Sequence, residues 1–152
     1  LADRFCQDGL GYFVLGVVLV GRSLGALGIV LTPLLATYVL LSVICGGLIF
    51  FALNLITATT SFWLMDSIPV TRVVFDNNEF AKYPITIYPQ AVRFVLTWVI
   101  PYGIASFYPA SVVLGRDVGA MVWAGPLIAV AFTMIAYRVW AFGLNHYKST
   151  GS

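Results

Sequence analysis

The chain has 152 residues, 61% of them hydrophobic and only 9% charged, with a net charge of +2. A soluble domain carries roughly 25% charged residues, so this composition excludes an ordinary water-exposed globule. The eight basic residues are scattered rather than clustered, which excludes a nucleic-acid-binding surface.

The chain begins at Leu1, and Ala2-Asp3-Arg4-Phe5 lacks the basic-then-apolar order of a signal peptide. The expectation is the C-terminal part of something longer. A first apolar segment covers 10–29 and contains Arg22. An Arg at a helix centre costs ~2.5–3.5 kcal/mol on insertion scales, and each Leu, Ile, Val or Phe returns ~0.3–0.6 kcal/mol. Eight such residues between Leu10 and Val20 roughly cancel that cost, and Arg22 lies past the middle, within snorkelling reach of an interface.

A second apolar segment covers 33–60. It lies inside a run of 43 residues, between Arg22 and Asp66, that holds no charged side chain. About 20 apolar residues suffice to cross the hydrocarbon layer, so this run places the chain in a membrane. Cys45 lies in this run and Cys6 in the polar N-terminal segment; both are expected as free thiols without a disulfide framework.

The third apolar segment, 91–107, is crowded by proline. Tyr83-Pro84 and Tyr88-Pro89 favour extended backbone before each proline, and Pro89 suits the first turn of the following helix. Pro101 falls inside the span and is expected to kink it. Tyr108-Pro109-Ala110 follows, with Pro109 expected to start a short re-entrant helix over 110–114 before Gly115-Arg116-Asp117-Val118-Gly119. Irregular backbone at membrane depth needs protein or water around it, which points to a pathway. A fourth apolar segment covers 121–142. The predicted fold is all-α: a polytopic transmembrane helical bundle of about four spans, with a short re-entrant helix before the last.

If both ends are cytoplasmic, the inner side holds Arg4, Arg72, Lys82, Arg93, Arg138 and Lys148, and the outer side only Arg22 and Arg116. Six against two obeys the positive-inside rule, and the reverse orientation violates it. Trp63, Tyr83 and Tyr88 flank the inner connection, while Trp123 and Trp140 fall near the outer and inner ends of the last span. Trp98 falls within the third span and is expected to pack between helices.

Gly21-Arg22-Ser23-Leu24-Gly25 spells the G-x-S-x-G of a hydrolase nucleophile elbow. That chemistry needs a strand–turn–helix context and a histidine base, and the one histidine, His146, falls on the opposite side of the membrane. The same residues read as G-x-x-x-G, which lets helices approach closely, or as a glycine-rich span end. Cys6, Cys45 and His146 have no metal-ligand spacing, and neither Lys82 nor Lys148 follows a glycine as a phosphate-binding loop requires. No metal or other cofactor is expected. Asp3, Asp8, Asp66, Asp76, Glu79 and Asp117 all fall outside the span interiors. Ion-coupled carriers keep such groups inside the bilayer, so energy for any transport is expected from another subunit.

Phe62-Trp63, Tyr83-Pro84-Ile85-x-Ile87-Tyr88, Val99-Ile100-Pro101-Tyr102, Tyr108-Pro109-Ala110 and Gly143-Leu144-x-x-Tyr147-x-Ser149-x-Gly151 occur in that order over nearly the whole chain. The set resembles the C-terminal part of a type-2 ATP-binding-cassette exporter permease, from the bacterial group with six-span membrane subunits. The resemblance implies a non-enzymatic permease subunit in a bacterial cell membrane, paired with a separate ATPase and a second permease subunit in a homo- or heterodimer. It implies that the four segments are spans three to six. By the same resemblance, Asp3, Arg4, Phe5 and Asp8 correspond to the end of the ATPase-coupling region, or to a solvated approach to a span. Pro101, Tyr102, Tyr108 and Pro109 correspond to a kinked outer region that lines or gates the exit; the tyrosines equally suit an interfacial aromatic belt.

Two other readings compete. One is a structural or assembly membrane protein that binds partner helices through Ser42, Gly46 and Gly47. The other, more distant, is a membrane-embedded enzyme acting through Ser23, against which stands the lack of any converging acid, base and nucleophile.

Overall fold

The computed structural model describes residues 2–63 and 83–146, and the elements among them are helical. The chain divides into two units, Leu1–Ala36 and Thr37–Ser152. In the first, α1 (Ala2–Ala26) is one continuous helix whose last 17 residues, Leu10–Ala26, are apolar. It ends in a Schellman motif. Gly28, at φ 65°, donates to Gly25 O, and Ile29 N reaches back to Leu24 O at 2.9 Å. The left-handed turn is open to glycine at no steric cost, and it occupies carbonyls the helix end would leave bare.

Thr32 starts α2 (Pro33–Thr59): its hydroxyl accepts from Leu35 N at 3.3 Å, and Pro33 supplies a pre-set φ in the first turn. With 27 residues at 1.5 Å each, α2 is about 40 Å long, ample for a ~30 Å hydrocarbon layer. It is apolar on every face, and its polar groups bond to their own backbone one turn back. Ser42 donates to Tyr38 O, Asn54 to Phe50 O, Thr57 to Leu53 O and Thr59 to Leu55 O. In lipid no water replaces such a bond, so a hydroxyl that satisfies itself makes a span tolerable.

In the second unit a short 3₁₀ turn, Ile85–Ile87, leads to two helical limbs, α3 (Gln90–Val99) and α4 (Gly103–Val113), bent 80° to one another. A second Schellman motif closes α4, with Gly115 at φ 68° and Arg116 N on Ser111 O at 2.9 Å. Asp117 Oδ1 then accepts from Gly119 N, starting a 3₁₀ turn, Gly119–Trp123, that runs into α5 (Ala124–His146).

Among the described residues two helices are long and apolar enough to cross a membrane, Pro33–Thr59 and Gly119–Asn145, and the bent pair makes up to three. These helices overlap the expected segments 33–60, 91–107 and 121–142, and the segment expected at 10–29 overlaps the shorter apolar stretch Leu10–Ala26. The expected kink and the expected short helix are both present, but Pro101 alone makes the break. The α-helical turns of the short helix, Tyr108–Val113, carry Pro109 in their first turn, and a π-wound segment, Gly103–Phe107, runs into them. Gly103–Phe107 is wound as a π-helix, one residue wider per turn, which eases the clash between a proline ring and the turn before it.

Contacts at the two ends of the second unit give α2 and α5 the same direction. Tyr38 and Leu41 share a cavity with Met121 and Pro126, while Thr59 and Phe62 meet Gly143. The chain between them must therefore return from one end to the other. α4 supplies part of that return. Its Tyr102 end lies at the level of Phe50, Ala105 at Gly46, and Pro109 at Leu41 and Ser42, so it runs antiparallel to α2. The bent pair thus has the geometry of a broken span or a re-entrant element, with α4 antiparallel to α2 and α3 at 80° to α4.

Candidate functional site at the broken span

Proline removes one donor, and the register shift before it removes a second. Val95–Val99 is wound as a π-helix, so Ile100 N donates to Val95 O at 2.9 Å rather than to Leu96 O. Pro101 has no N–H to offer next. Leu96 O thereby loses both of its regular helical donors. It is not left to lipid: a Cβ built on Gly103 would stand 3.2 Å from it and 3.4 Å from the side chain of Ile85. A glycine lets backbone cover backbone this closely without displacing either. Ile85 itself is 2% exposed between the exposed Pro84 and Thr86, so its side chain turns inward as a plug over the break. The guanidinium of Arg93 donates to Thr86 O at 3.1 Å and ties that plug to α3.

At the break Ile100 leaves helical conformation (φ −122°, ψ 86°), and Tyr102 N reaches back to Ile100 O at 2.6 Å. Ala105 N then takes Pro101 O at 3.0 Å, which restarts the helical ladder. Pro101 and Tyr102 are both fully buried, and the Tyr102 ring stacks on Phe50 with centroids 5.5 Å apart. Around them lie Ile49, Leu53, Leu96, Ile104 and Ala129, the core of the second unit.

Ala105 O would receive its α-helical bond from residue 109, and Pro109 has none to give. That carbonyl lies against Gly46 of α2, where a Cβ would stand 3.2 Å from it. Pro109 also walls a cavity of about 20 Å³, enough for one water, bounded by Tyr38, Ser42, Cys45, Met121 and Trp123.

Of the residues expected at a path or gate, Pro101 and Tyr102 therefore lie in the core of the break. Tyr108 is half-buried with its ring edge-on to Phe107 at 5.5 Å, and Pro109 lines the cavity. Asp3, Arg4, Phe5 and Asp8 are carried on the first turns of α1, continuous with its apolar part rather than on a separate loop. Arg72, Lys82, Asp66, Asp76, Glu79, Tyr147, Lys148, Ser149 and Gly151 lie outside the described residues.

Gly21–Gly25, with Ser23, is helix interior, not the strand–turn–helix a nucleophile elbow needs. A Cβ at Gly21, Gly25 or Gly47 meets nothing within 4 Å, whereas Gly46 is engaged within the chain. Trp98, expected between helices, is instead 48% exposed, because Leu96 and Thr97 take the inward positions of α3. Trp63, Tyr83 and Trp123 are exposed near element ends, as amphipathic rings at a membrane boundary would be.

Phe50, Ile85 and Gly103 complete the site, and Phe50 and Gly103 lack an outward mark in the chain. Ile85 alone carried a cue, as the one apolar residue pinned directly behind Pro84.

The family model described as ABC-2 family transporter protein matches residues 1–151. Neither the curated proteins nor the solved structures yield a match.

Proposed function

The chain belongs to the ABC-2 family of transporter proteins, and on that premise we propose that it is a permease subunit of an ATP-driven exporter. In this reading it forms part of the translocation path and takes its energy from a separate ATPase chain. The observation that carries it is the broken span. Two continuous helices hold between them a limb pair that is bent 80° at a buried Pro101 and covered by Ile85. Discontinuous helices in a bilayer cost hydrogen bonds and recur where substrates pass.

Both chain ends are assigned to the cytoplasm, in a bacterial cell membrane, on the six-against-two distribution of basic residues. Asp3, Arg4, Phe5 and Asp8 then stand on the ATPase side. A second permease subunit, identical or related, completes the path. Pro101 and Tyr102 act as the hinge, and Tyr108 and Pro109 as the outer rim that moves with α4. Movement of α3 by the ATPase side is transmitted through Pro101, because the break is the weakest point of the return span. No acidic side chain lies in α2, α3, α4 or α5, which favours hydrolysis on a partner over ion coupling.

The test is reconstitution of the full-length protein. It is expected to show no ATPase activity alone and to gain it with a cognate nucleotide-binding partner. Native purification free of any ATPase overturns the reading. Unimpaired transport by Pro101→Ala would instead favour a structural or assembly role.

A further inference from the structure

Arg138 lies within the last membrane-length helix, on a surface where nothing in α5 answers its charge. The membrane-length element that contains this helix is Gly119–Asn145. Its C-terminal end is marked by Gly143 against Thr59 and Phe62, and by the rings of Phe142 and Trp63 with centroids 6.1 Å apart. Arg138 stands five residues before Gly143, about 7.5 Å deeper at 1.5 Å per residue. Its side chain is exposed, and so are Met134, Ile135 and Phe142 around it at 59%, 51% and 57%. The guanidinium thus projects from an exposed, otherwise apolar helix surface.

Among the described side chains the one carboxylate is Asp117, and it is engaged with Gly119 N at the opposite end of the helix. A helical Cα–Cβ bond also leans toward the N-terminus, here toward the membrane interior, so Arg138 must curl back to reach the boundary. A charged group at this depth is costly unless it snorkels to the boundary, where the phosphates are the anions it meets. Along the same face, Ala141 at i+3 is small and Asn145 at i+7 is exposed, within two turns of Arg138 toward the helix end.

We propose that Arg138 binds the phosphate of a membrane phospholipid from the leaflet at the C-terminal end of α5. Asn145 supplies a second polar contact, and Met134 and Ile135 lie against the acyl chains. The occupant follows from charge and surroundings together. A planar guanidinium matches a phosphodiester, and phospholipid is the anion present at that boundary along an apolar helix.

Native mass spectrometry of the full-length protein in a mild detergent tests this, with phosphatidylglycerol as the probe and a phosphate-free diacylglucosyl lipid as control. Wild type is expected to retain phosphatidylglycerol over the glucolipid. Arg138→Gln is expected to lose about tenfold in retention, the scale of one charge-assisted hydrogen bond. Arg138→Lys should keep part of it, and Arg116→Gln, in the loop before α5, all of it. Inorganic phosphate at millimolar concentration should not displace the lipid. Displacement would assign the site to a free anion and overturn the proposal. So would unchanged retention in Arg138→Gln, which would mean Arg138 is answered by a carboxylate of the protein. Equal retention of the two lipids by wild type overturns it without any variant.

Discussion

Gly46 of α2 lies against the carbonyl of Ala105 in α4, with 3.2 Å between that oxygen and the point where a side chain would begin. The oxygen is the one that Pro109, four residues on, cannot bond. A helix interrupted by proline thus rests its weakened turn on a neighbour with no side chain. Close approach of backbones is what small residues permit in membranes, where apolar burial does not by itself hold helices together.

Replacing Gly46 tests this contact. Gly46→Leu should destabilise the protein by ~1–3 kcal/mol, the usual cost of forcing atoms into a filled site. Gly47→Leu, with nothing within 4 Å, should be near neutral. Thermal unfolding of the two variants in the same detergent makes the comparison, and equal losses would remove Gly46 from the crossing.

Gly143 makes an even tighter crossing at the far end. A Cβ there would stand 2.6 Å from the Phe62 ring and 2.8 Å from the Thr59 methyl. Gly143→Val is therefore expected to part α5 from the end of α2. A spin-label distance between these two ends should lengthen, while one between their opposite ends, near Tyr38 and Met121, stays put.

Tyr102 and Phe50 should behave as a pair. Truncating a buried aromatic to alanine costs ~3–5 kcal/mol. Stacked rings add ~0.5–1.5 kcal/mol beyond their burial. Tyr102→Ala and Phe50→Ala are expected to be less than additive in the double variant. Strict additivity in chemical denaturation would mean that the 5.5 Å stacking contributes nothing of its own.

Pro101→Ala returns an N–H to the break and gives Leu96 O a donor again. The angle between α3 and α4 should relax from 80° toward a straight span, which paired labels on the two limbs report. If the hinge carries movement, transport falls although the fold is no less stable. A loss of stability with transport intact would reverse the assignment.

Ile85→Asn tests the plug. Its side chain is 2% exposed over the break, and a polar group there should cost ~1–3 kcal/mol if it finds no partner. Hydrogen exchange at Tyr102 and Gly103 should quicken more than exchange in the middle of α2. Uniform quickening would mean that Ile85 is an ordinary core residue.

Much of this was legible in the chain. Pro101 could be assigned to the break because a missing N–H acts wherever a helix meets it. Pro109 does stand in the first turn of Tyr108–Val113, but the π-wound Gly103–Phe107 that joins those turns to the break had no mark in the chain. Trp98 was expected inward, and it faces out because α3 turns Leu96 and Thr97 to the core instead.

Composition and the uncharged run by themselves determined the solvent, the helical class and the approximate extent of each apolar element. These depend on totals and local chemistry, which a linear chain carries in full. The tertiary structure alone decided which face of each helix meets protein, that α2 and α5 point the same way, and that Ile85 seals the break. The reason is physical. Lipid and protein core are equally apolar, so a helix such as α2, apolar all round, carries no polarity signal to tell one side from the other. That choice is made by pairwise fit, glycine to carbonyl and ring to ring, and exists only once the partners have met.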